Sequence, residues 1–131
     1  MPQDLHALII EDEMITGVGM QFMLSDLGFA SFAFAGTQAQ AMEQALLRRP
    51  DLVTVDVGLL DGDGLSAVRA IRRVIGRLPT LYVTGDPRAV REAREQEDGE
   101  MVVVEKPFMP SDLASAYARL KAQPDFRGAL L

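Results

Sequence analysis

Five short apolar runs, separated by stretches with helical spacing, constrain this chain more than any other feature. LHALII, Leu5 to Ile10, leads into Glu11, Asp12 and Glu13. SFAFA runs from Ser31 to Ala35 and LVTVDV from Leu52 to Val57. TLYVT follows Pro79 and ends at Thr84, and Met101 to Val104 leads into Glu105-Lys106-Pro107. Runs of this length and composition read as buried strands. Between them, residues 14–27 are apolar on several faces and stop at Gly28. Gly36-Thr37 opens a second helix, in which Ala39, Ala41, Met42, Ala45, Leu46 and Leu47 recur at helical spacing before Pro50. Asp61-Gly62-Asp63-Gly64 reads as a turn leading into a helix that reaches about Ile75, and residues 86–98 carry a weaker helical pattern. Ser111 is the expected N-cap of a last helix, with Leu113, Ala114, Tyr117 and Leu120 on one face and Pro124 beyond its end. Alternation of this kind predicts an α/β fold: a doubly wound, five-stranded parallel sheet with helices on both faces and right-handed crossovers.

Composition narrows the function classes. A chain of 131 residues fits one domain, and 48% hydrophobic with 24% charged residues argues against disorder. Zero Cys excludes a disulfide frame, a thiolate metal site and a Cys nucleophile. The N-terminal stretch carries Asp4 and no long apolar run, so no signal peptide is expected. No stretch approaches the roughly 18 apolar residues of a membrane span. A cytoplasmic protein without a membrane partner is the expectation. The formal net charge of −6 argues against direct nucleic-acid binding by this chain, because phosphate contacts need a basic surface.

Ligands of open α/β sheets lie outside the carboxyl ends of the strands. Those ends bring Glu11 and Asp12 after the first strand, Asp56 on the third, Thr84 on the fourth and Lys106 after the fifth. Any one of these has an ordinary explanation: a solvated loop acid, a Lys lying along its own stem, a β-branched Thr. Their conjunction does not. Three carboxylates in one crevice repel unless a cation joins them, and a hard, oxygen-seeking ion such as Mg²⁺ meets that demand. Competing motifs fail. Gly17-Val18-Gly19 lacks the third glycine of a dinucleotide fingerprint, since Phe22 stands there. Asp61-Gly62-Asp63-Gly64 lacks the later ligands of a calcium loop, with Leu65 and Arg72 in their places. The lone His6 lies early in its strand, far from the strand ends.

The residues IIEDE with Glu11 and Asp12, VDVGLLDGDGL with Asp56, YVTG with Thr84 and EKPF with Lys106 and Pro107 together resemble the receiver domain of two-component response regulators. The likeness covers about residues 5–122, so residues 1–122 are read as the domain and 123–131 as a short tail. It implies a flavodoxin-like sheet of strand order 2-1-3-4-5. It implies that Asp56 accepts a phosphoryl group from a sensor histidine kinase or a phosphotransfer protein. Glu11, Asp12, Asp56 and the backbone carbonyl of Gly58 would hold Mg²⁺, Thr84 and Lys106 would meet the phosphoryl oxygens, and Lys106–Pro107 would be a cis peptide. Such a domain catalyses only its own phosphorylation and dephosphorylation, and signals by altered contacts with a downstream protein.

The chain departs from the family pattern in places. Leu60 stands where Pro is frequent, and Val103 stands where the family usually carries a rotating aromatic switch. The signal would then leave through Thr84 into residues 85–100. Pro79, Tyr82, Thr84 and Gly85 resemble the "FAT GUY" subfamily of single-domain regulators. Three other readings stay open: a receiver belonging to a larger regulator with an output domain, a non-phosphorylated pseudo-receiver used for binding, and an aspartyl-phosphate phosphatase. The last would want a second Asp where Gly58 stands.

Overall fold

The computed structural model describes residues 4–58, 64–86, 88, 89, 91, 94, 101–123 and 126. In chain order these form β1 (Leu5–Ile10), α1 (Met14–Asp26), β2 (Phe29–Ala35), α2 (Gln38–Leu47), β3 (Leu52–Asp56), α3 (Gly64–Ile75), β4 (Thr80–Thr84), β5 (Val102–Glu105) and α4 (Pro110–Lys121). The five strands pair in parallel in the order β2-β1-β3-β4-β5, as expected. Every residue of β1, β3 and β4 is buried, which is why these strands read as continuous apolar runs rather than alternating ones.

Side-chain alternation divides the core in two. Leu5, Ala7 and Ile9 of β1 join Met20 and Leu24 of α1 and Leu113, Tyr117 and Leu120 of α4 on one face. Leu8 and Ile10 join Ala41 and Ala45 of α2 and Leu65, Val68 and Ile71 of α3 on the other. Helices therefore cover both faces. Phe29, Tyr117 and Phe126 make two edge-to-face contacts at 5.5 Å that fasten α4 to the first face.

Several boundaries differ from the sequence reading. β2 starts at Phe29 rather than Ser31, because Gly28 (φ +106) turns the chain straight from α1 into the strand. β5 is displaced by one residue, to Val102–Glu105. Met109, not Ser111, is the N-cap of α4: Pro110 fits the first helical turn, and the Asp112 carboxylate accepts the Met109 N–H at 2.8 Å. Ala116 rather than Ala114 completes the buried face of α4. In α2 only Ala41 and Ala45 are fully buried, while Leu46 and Leu47 are exposed. The turn expected at 61–63, Leu60 and most of the tail fall outside the described residues. So does most of the segment 86–98, of which Arg88, Ala89, Arg91 and Arg94 are helical. No helix among the described residues is long and apolar enough to cross a membrane.

Candidate functional site

The strand order reverses between β1 and β3, and the crevice at their carboxyl ends is where the acidic residues meet. β1 delivers Glu11 and Asp12 one and two residues past its end, and β3 delivers Asp56 as its last residue. Carboxylate oxygens of Glu11, Asp12 and Asp56 all lie within 4.8 Å of one another. β5 carries Lys106 into the same space. Its ammonium lies 3.3 Å from Glu11 Oε2 and 3.3 Å from Asp56 Oδ2, bridging residues 95 and 50 positions away in the chain. The Lys106–Pro107 peptide is cis.

Electrostatics follow from that crowding. Burial and the Asp56 charge push the Glu11 carboxyl up to about 7, against the opposing pull of the Glu13 N–H and the Lys106 ammonium. Burial alone would lower the Lys106 pKa, but the Asp56 and Glu11 carboxylates outweigh it and raise it, so the ammonium stays charged. Lys106 offers no lone pair while protonated, so it neutralises the cluster without being able to ligate a metal. The donor set is entirely carboxylate oxygen, which suits a hard divalent cation and not a soft one.

The backbone holds the Asp56 carboxylate in place. The Gly58 N–H donates to Asp56 Oδ1 at 2.9 Å, leaving Oδ2 toward Lys106. The Val57 N–H donates to Val83 O and the Lys106 N–H to Thr84 O at 2.7 Å, so β3, β4 and β5 are locked beside the site. Thr84 is in place at the end of β4 and buried, but its hydroxyl is engaged locally. It donates to Asp86 O at 3.2 Å and accepts the Asp86 N–H at 3.0 Å. Val103, standing where an aromatic is usual, pairs across the ladder with Tyr82, whose ring is buried on the α2–α3 face.

One residue of the site escaped the sequence reading. Gly64, read there only as part of a turn, begins α3 so close to β3 that a Cβ would lie 2.3 Å from the Asp56 carbonyl oxygen. Its place in the Asp61-Gly62-Asp63-Gly64 run gave no hint of which glycine needed to be one.

Residues 7–118 match the response regulator receiver domain family. Among curated proteins, the transcriptional regulatory protein PdtaR of Mycobacterium tuberculosis is 33% identical over 113 residues, covering 85% of this chain and 54% of that protein. The chain thus spans about half the length of that relative. Among solved structures, the chemotaxis protein CheY4 of Vibrio cholerae superposes with a TM-score of 0.78 at 23% identity, covering 90% of this chain and 99% of that one, which is a likeness of fold. The receiver domain of the sensor histidine kinase PA1611 of Pseudomonas aeruginosa, whose structure has a magnesium ion coordinated in the active-site cleft, superposes with a TM-score of 0.76 at 27% identity over 90% of this chain and 98% of that one. Sheet order, crevice and sequence match agree, and this chain belongs to the response regulator receiver domain family.

Proposed function

We propose that this chain is a phospho-accepting receiver of a two-component system, with Asp56 as the acceptor. The observation that carries this is the meeting of three carboxylates within 4.8 Å of one another, with the Lys106 ammonium 3.3 Å from two of them. Phosphoryl transfer asks little covalent chemistry of a protein; it needs positioning and charge neutralisation. The Asp56 carboxylate attacks phosphorus, the bond to the donor nitrogen of a phosphohistidine breaks, and an aspartyl phosphate forms. Lys106 exchanges its carboxylate partners for a phosphoryl oxygen. Thr84 exchanges its bond to the Asp86 carbonyl for another. Glu11, Asp12, Asp56 and the Gly58 carbonyl are the residues that would hold Mg²⁺. When bound, Mg²⁺ supplies positive charge beside the phosphoryl oxygens.

The donor is a sensor histidine kinase or a phosphotransfer protein, and the surface beside the crevice supports a protein partner. Met14 and Ile15, directly after the acidic run, are 83% and 89% exposed, and Met109 beyond Lys106 is 66% exposed. These exposed apolar side chains, next in the chain to the site segments, are available to such a partner. The chain turns over no external substrate; its readout is a changed contact with a downstream protein. The half-length match to PdtaR favours a second reading, a receiver joined to an output domain, which the full gene sequence decides.

Incubation with Mg²⁺ and acetyl phosphate, read by intact mass, tests the acceptor. One phosphoryl group should add to the wild type and none to Asp56→Asn. An unmodified wild type, or an equal adduct on the variant, would overturn the assignment.

A further inference from the structure

At the amino ends of the strands, opposite the acidic crevice, three arginines meet in one cleft. Arg48 and Arg49 follow α2, and Arg77 lies between α3 and β4. With Asp4 and Asp51 they border a cavity of about 430 Å³. Pro50, Leu78 and Pro79, all buried, form its apolar side. Asp51 immediately precedes β3 and Asp56 ends it, so the strand separates the two sites by roughly 17 Å at about 3.3 Å per residue.

Helix capping explains part of this charge. The Arg49 guanidinium donates to Ile75 O and, at 3.1 Å, to Arg77 O, satisfying carbonyls at and beyond the end of α3. Arg72 donates to the Leu78 carbonyl at 3.4 Å and to the Thr80 hydroxyl at 3.1 Å. The acids are engaged too: Asp51 accepts the His6 N–H at 2.8 Å. Arg48 and Arg77 have no such employment, since neither guanidinium bonds to any described residue. Burial lowers the His6 pKa, and the Arg48 charge helps to lower it further. In a chain of net charge −6, three guanidiniums against two carboxylates at one cleft are still a local reversal of sign.

We propose that this cleft binds a phosphate-bearing small molecule of nucleotide size. Guanidinium forks match phosphate oxygens in pairs, which suits Arg48 and Arg77 to the anion. The apolar side formed by Pro50, Leu78 and Pro79 suits a flat ring. Asp4, at the margin, suits hydroxyl or amine donors of a sugar or base. The volume lies within the roughly 300–1,000 Å³ of small-molecule sites. This site is independent of phosphorylation at Asp56.

The test uses the full chain in EDTA, with thermal shift and calorimetric titration of AMP and, separately, inorganic pyrophosphate. Wild type and Asp56→Asn should bind AMP saturably and equally. The double variant Arg48→Gln/Arg77→Gln should lose about tenfold or more in affinity, as removal of charge-assisted hydrogen bonds does. Both side chains are exposed, so the double variant should keep the wild-type circular dichroism and ligand-free melting temperature. Stronger binding of AMP than of pyrophosphate supports a ligand of nucleotide size; equal or weaker binding of AMP overturns it. No binding of either, or binding undiminished in the double variant, overturns the proposal.

Discussion

Gly64 and Asp56 are packed backbone to backbone: a Cβ on Gly64 would lie 2.3 Å from the Asp56 carbonyl oxygen and 2.8 Å from Val55 Cγ2. The start of α3 thus rests on Asp56, the proposed acceptor. Gly64→Ala must push the helix or the end of β3 aside. The expected cost is about 1–3 kcal/mol, the range for overpacking, read as a lowered urea midpoint. Phosphorylation by acetyl phosphate should slow as well, because Asp56 moves with its backbone. A variant as stable as wild type would show that α3 can shift freely.

The Glu11 carboxyl, held at about 7 against an ordinary 4.5, makes both stability and metal binding depend on pH. Between those values the folded metal-free protein binds a proton that the unfolded chain does not. Its contribution to stability is therefore full below about 4.5 and is lost as pH rises through about 7. Mg²⁺ needs the ionised carboxylate, so its affinity should run the other way, falling by up to about tenfold per pH unit below 7. Titrations at about pH 6 and about pH 8 measure this. Glu11→Gln should flatten the stability profile, and a wild-type affinity independent of pH would refute the coupling.

Mg²⁺ should stabilise the folded chain, because the three carboxylates converge only in the native state. At roughly a hundredfold excess over the dissociation constant the gain is about 2.7 kcal/mol. Asp12→Asn should remove most of it. Equal melting-temperature responses to Mg²⁺ in wild type and variant would count against Asp12 as a ligand.

Lys106→Ala should keep Mg²⁺ binding and lose phosphorylation. The ammonium sits between Glu11 and Asp56 without being able to ligate a metal, and its removal leaves a phosphoryl oxygen unneutralised. Calorimetry with Mg²⁺ and intact mass after acetyl phosphate separate the two effects. Weakened Mg²⁺ binding with normal phosphorylation would reverse the assigned role.

Local pattern in the sequence is enough to place the five strands and the members of the crevice. Strands buried on both faces leave uninterrupted apolar runs, and polar residues just past such runs project from the carboxyl edge whatever the packing. That is why Glu11, Asp12, Asp56 and Lys106 were legible from local pattern together with the family likeness. The tertiary structure decided what depends on distance between segments remote in the chain. Only packing shows that Lys106 bridges two carboxylates 95 and 50 residues away, that the Thr84 hydroxyl is held by the Asp86 backbone, and that Gly64 leaves no room for a side chain. Leu46 and Leu47 recur at helical spacing with Ala41 and Ala45, yet both are exposed at 57% and 73%, because periodicity marks a helix but not where its packing neighbours end. The arginine cleft was hidden for the same reason. Arg48 and Arg77 are ordinary surface residues in the sequence, and only the folding of α2 against α3 puts their charges at one cavity.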